Sequence, residues 1–77
     1  MIQIHIRTQH GKFMWPISPV HADYLDRIVE RCCRAISEGS VGPLTDWTVG
    51  NHGQVNAPAK GTRGTKTEIL ECYTILP

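Results

Sequence analysis

No stretch of this chain approaches the roughly 20 consecutive apolar residues of a membrane-spanning helix. Its opening residues, MIQIHIRTQH, alternate instead of forming the apolar run of a secretory leader. A cytoplasmic setting without a membrane partner is therefore expected. The three cysteines point the same way: their number is odd, and Cys32 and Cys33 are adjacent on what reads as a helix, where their side chains diverge. No disulfide framework is expected. Although His5, His10, His21 and His52 are present, neither C-x-x-C nor H-x-x-x-H spacing occurs, so neither a metal nor another cofactor is expected. Cys32 and Cys72 are expected to act as small core hydrophobes.

Catalytic signatures are missing as well. No motif sets a nucleophile on a strained turn, and no pair of acids is spaced for acid–base work. The acids fall mostly on the helix surface, and an enzyme is not expected. The glycine-rich stretch from Gly53 to Lys66 lacks the G-x-x-x-x-G-K-[ST] spacing and the following helix that a nucleotide phosphate loop requires.

Acidic residues are absent from two long segments. Residues 1–22 hold Arg7 and Lys12 but no acid, and residues 47–67 hold Lys60, Arg63 and Lys66 but no acid. Asp23, Asp26, Glu30, Glu38 and Asp46 lie between them, so the net charge of only +1 conceals positive strand and loop segments. With 77 residues the chain is expected to form one domain, too small for a deep active site of its own.

What is present begins with one long periodic segment, residues 18–39. Leu25, Ile28, Val29, Cys32 and Ile36 recur at three- and four-residue intervals and define an apolar stripe, with His21 at its edge. Asp23 with Arg27, and Glu30 with Arg34, are opposite charges four residues apart on the solvated side. Ser18 is placed to cap the helix, Pro19 suits its first turn, and Gly39 suits its end. The periodicity predicts a single helix about 30 Å long.

The flanking segments read as strands. Ile2, Ile4 and Ile6 alternate with Gln3, His5 and Arg7, and Phe13, Trp15 and Ile17 alternate with Lys12, Met14 and Pro16. Gly11 supplies the turn of a hairpin, and Pro16 predicts that its second strand lies at an edge or ends near residue 16. Residues 45–49 read as a third strand carrying Trp47 and Val49 inward, and residues 54–56 as a short return. Residues 67–76 are nearly continuous in apolar and β-branched residues, which predicts the best-buried strand. Its inward face is ambiguous: Leu70, Cys72 and Leu76 compete with Ile69, Tyr73 and Ile75. The expected fold is α+β, in the order strand, strand, helix, strand, strand, with the helix across one face of a small antiparallel sheet.

Residues 57–66 contain no large apolar side chain and are expected to form an exposed cationic loop. Lys60, Arg63 and Lys66, joined by Arg7, His10 and Lys12, are the candidate partner-binding residues. The expected activity is non-enzymatic: occupancy of a protein or complex with an acidic surface, by an inhibitor or adaptor like those that phages and mobile elements direct against host defence or nucleic-acid machinery. Weak, salt-dependent nucleic-acid binding through the cationic glycine-rich loop is the alternative, limited by few phosphate contacts and by Trp15, Trp47 and Tyr73 being needed in the core. A homodimer through a spare apolar face of the last strand is a further expectation.

Overall fold

Strand β1 (Ile2–Thr8) is the centre of the sheet because its alternation gives it one wholly apolar side. Ile2, Ile4 and Ile6 are each no more than 2% exposed. The structure, a computed structural model, describes residues 1–40, 43–58 and 67–76. Strand β2 (Gly11–Ile17) returns antiparallel to β1, and β5 (Ile69–Ile75) pairs antiparallel on the other side, giving the order β2-β1-β5. The hairpin turn depends on Gly11, whose φ of 137° is open to glycine and strained for other residues. Pro16 lies in β2, at the edge, as its missing N–H requires.

The expected single helix is divided. Residues Pro19–Tyr24 form a 3-10 helix, and α1 runs only from Leu25 to Ser37, 13 residues or about 20 Å. Tyr24 departs from helical geometry with φ −116° and ψ 16°. The cause is tertiary: Gly53 comes so near that a Cβ there would lie 2.9 Å from Tyr24 Cβ, and the His52 ring meets the Tyr24 ring edge-on at 5.5 Å. Ser18 precedes the 3-10 segment but its hydroxyl makes no capping bond; its carbonyl accepts from the His21 N–H at 3.0 Å. The expected Asp23–Arg27 pair is not among the ion pairs of the described residues. Arg27 sits over the Tyr24 ring at 6.0 Å instead, whereas Glu30 and Arg34 do pair at 2.9 Å.

The helix ends in a Schellman motif. Gly39, at φ 94°, lets the Ser40 N–H reach the Ala35 carbonyl at 2.8 Å while its own N–H reaches that of Ile36 at 3.0 Å. Ile28, Cys32 and Ile36, spaced by four, are the buried stripe of α1 and meet the β1 isoleucines, Trp15 and Ile17. Fully burying one such aliphatic side chain contributes about 1.5–3 kcal/mol.

Between α1 and β5 the chain makes less sheet than its alternation predicts. Residues Leu44–Asp46 form a 3-10 turn, and only Thr48–Val49 (β3) and Val55–Asn56 (β4) pair, as a separate two-stranded ribbon. Trp47 is nevertheless buried and packs edge-on against Trp15 at 5.7 Å.

Strand β5 is the clearest departure from expectation. It is the least covered long strand, with Leu70, Glu71, Cys72, Tyr73 and Ile75 exposed. An edge strand has a neighbour on one side only, so continuity of apolar residues does not bury it. The register shifts between Arg7 and Thr8, whose partners are Glu71 and Ile69, leaving Leu70 as a β-bulge. Ile69 consequently packs against the core, while beyond the bulge Cys72 and Thr74 lie opposite Ile6 and Ile4. Neither face proposed from the sequence is continuous.

Candidate functional site

With α1 covering one side of the sheet, the opposite side is open. Its residues form three rows across β2, β1 and β5, set by register: Lys12–Arg7–Glu71, Met14–His5–Tyr73 and Pro16–Gln3–Ile75. Rows repeat every two residues along a strand, about 7 Å apart. The charged row lies next to the hairpin turn, and the rows beyond it are aromatic and apolar.

In the charged row, Lys12 and Arg7 are like charges directly opposite one another, an unfavourable pairing in isolation. Glu71 relieves it, accepting from Arg7 Nε at 3.1 Å. Both side chains are about half exposed, so the pair contributes only about 0.2–1 kcal/mol. Lys12 makes no ion pair among the described residues and keeps its charge for other contacts.

In the next row the His5 and Tyr73 rings stack 4.9 Å apart and 11° from parallel. The His5 Nε2–H donates to Gln3 Oε1 at 3.0 Å, which fixes the imidazole flat against the tyrosine. Tyr73 was expected in the core; it is on the open face because it pairs with His5, an outward residue of β1. Met14 completes the row from β2 and is 61% exposed.

The turn beyond the charged row is held by side chains. The Thr8 hydroxyl donates to the Gly11 carbonyl at 3.1 Å and accepts from the His10 N–H at 3.0 Å. The Gln9 amide donates to His10 Nε2 at 3.3 Å, and Gln9 Oε1 accepts from the Glu68 N–H at 3.1 Å. His10 is thereby held in the turn that adjoins the charged row. A depression of about 120 Å³ lies among His5, Arg7, Lys12, Glu71 and Tyr73. A wider groove of about 620 Å³ follows β2, from Lys12 and Met14 to Pro43 and Leu44. Lys12 lines both.

Of the six residues singled out from the sequence, Arg7 and Lys12 are brought opposite one another, and His10 lies in the turn between their strands. Lys60, Arg63 and Lys66 lie outside the described residues. The sequence reading missed His5, Tyr73, Met14 and Glu71 as a group. Alternation already turned His5 and Met14 outward, but only the register places His5 beside Tyr73, 68 positions away.

On the helix side of β5, Cys33 Sγ donates to Cys72 Sγ at 3.7 Å. Cys72 is exposed at this edge, in contrast to the core position expected for it; Cys32 is buried as expected. Burial pushes the Cys33 thiol up to about 12, with its hydrogen bond to Cys72 and the Cys72 charge adding to the shift. Burial likewise pushes Cys32 up to about 12. Among the described residues no group of three or more His, Cys, Asp or Glu is arranged to hold a metal ion, and no helix is long and apolar enough to cross a membrane. Compared with protein-family models, curated proteins and solved structures, the chain matches none of them.

Proposed function

We propose that this chain is a non-enzymatic binding module that acts by occupying a protein partner, as an inhibitor or adaptor, through the open face of its sheet. The observation that carries this reading is the row order on that face: among the described residues Lys12 is a cation without an ion-pair partner, and it lies beside a row in which exposed Met14 and Tyr73 flank half-buried His5. A matching protein surface offers a carboxylate over Lys12 and an apolar side chain about 7 Å farther along, over Met14 and Tyr73. The groove beside β2 extends the contact past the sheet edge.

The charge of the described part of the face favours a protein over a nucleic acid as partner. Arg7 is already neutralised by Glu71, and Glu71 itself repels phosphates. The described part of the face therefore offers Lys12 as its one uncompensated lysine or arginine, whereas useful affinity for a polyanion rests on several phosphate contacts.

The test is affinity capture from nuclease-treated lysate with four full-length proteins: wild type, Lys12→Glu, Tyr73→Ala, and Arg31→Glu on the exposed side of α1. A discrete protein retained by wild type and Arg31→Glu, and reduced about tenfold or more by the two open-face changes, supports the proposal. Equal capture by all four contradicts it. In a parallel capture without nuclease, recovery only of nucleic acid, lost as salt rises, replaces the protein partner with a phosphate backbone.

A further inference from the structure

Cys33 and Cys72 are 39 residues apart in sequence, on different elements, and 3.7 Å apart at sulfur. We propose that they are a modification site: a thiol pair that a low-molecular-weight disulfide of the glutathione class converts to an intrachain disulfide, clasping the edge strand β5 to α1. This inference is independent of the open face, since Cys72 points to the other side of the sheet.

Three observations converge on the pair. First, the two sulfurs are already in contact, and a bond at about 2.05 Å needs only a small approach. The required movement falls on β5, an edge strand with one neighbouring strand. Second, an opening of about 200 Å³ between α1 and β5, lined by Leu25, Asp26, Val29 and Cys72, gives a small oxidant a path to Cys72. Third, the remaining thiol is set apart: Cys32 is 1% exposed and belongs to the apolar stripe that packs under the isoleucines. A bond between the adjacent Cys32 and Cys33 would distort the helix that holds them.

The chemistry balances with the named oxidant. The exposed Cys72 sulfur, as thiolate, attacks one sulfur of the small disulfide; that S–S bond breaks and one small thiolate leaves. Cys33 then gives up its proton, and its sulfur attacks Cys72 Sγ, expelling the second small thiolate. The two protons lost by the protein are taken up by the two released thiolates. Two protein thiols are oxidised and one small-molecule disulfide is reduced to two thiols. Because burial holds the Cys33 thiol protonated, the second step is the slower one.

The experiment treats the reduced full-length chain with oxidised glutathione and follows free thiols, tryptic fragments and thermal unfolding. The expected result is a fall from three free thiols to one, with fragment 32–34 joined to the fragment that starts at Thr67. The same link forms in Cys32→Ala and is absent from Cys33→Ala, which separates the two neighbours. Oxidised wild type unfolds at least about 10 °C higher, because the cross-link constrains the unfolded chain. Three remaining thiols, a persistent glutathione adduct on Cys72, a link that survives in Cys33→Ala, a disulfide between chains, or an unfolding temperature that does not rise would each overturn the proposal.

Discussion

Strands β1 and β5 are both seven residues long and are paired to each other, and β5 carries five apolar side chains to the three of β1, yet β1 is the better buried. β1 has partners on both edges and the helix beneath it, and its isoleucines are essentially inaccessible. β5 has one partner and a bulge, and no residue in it is classed as buried. The clean alternation of β1 is the pattern of a strand with one covered face. The nearly continuous apolar run of β5 suggests a strand covered on both, but here one side is only half covered by α1 and the other is open. Position in the sheet, set by pairing over a long sequence separation, outweighs composition.

The largest effect that separates the two strands is expected at Ile4. Ile4→Ala removes a side chain that is 1% exposed at the sheet centre and costs about 2–5 kcal/mol by chemical denaturation. Ile75→Ala on β5, where the side chain is 47% exposed, costs less than about 1 kcal/mol. Similar losses at the two positions would break the comparison.

A smaller contrast tests the bulge itself. Ile69→Ala, on the core side, is expected to cost about 1–2 kcal/mol, and Leu70→Ala, on the exposed bulge residue, about 0.5 kcal/mol or less. The reverse order would mean that β5 keeps an unbroken alternation with Leu70 inward.

The smallest effect at moderate pH comes from the thiols. The folded-state values of Cys32 and Cys33 are raised from 9.0 to about 12, so the unfolded chain loses these protons first as pH rises. Their neutral forms contribute stability that is fully present below about 9 and is lost progressively between there and about 12. Unfolding midpoints measured from pH 8 to 10 should therefore fall, and Cys32→Ala should flatten the alkaline decline. A midpoint that rises above pH 9 would contradict the assignment.

Much of the architecture was legible because it rests on local pattern. The isoleucine alternation, Gly11 and Pro16 marked the hairpin and its edge strand, and Gly39 marked the helix end. The break at Tyr24 was not legible, because it depends on Gly53 approaching from a distant turn. The same limit applies to the candidate site. Arg7, Lys12 and His10 could be grouped from one hairpin, whereas the His5–Tyr73 stack and the Cys33–Cys72 contact depend on where β5 docks. The bulge at Leu70 explains why neither alternative for the last strand was correct: the inward set changes partway along it.

The proposed role depends on the open sheet face, and methyl NMR of the isotope-labelled chain, with and without the captured protein, tests it most directly. The account predicts that the Met14 and Ile75 methyl signals shift or broaden on binding, while Val20, which is 80% exposed on the 3-10 segment, does not change. Perturbation at Val20 with Met14 and Ile75 unaffected would contradict it and place the contact on another surface.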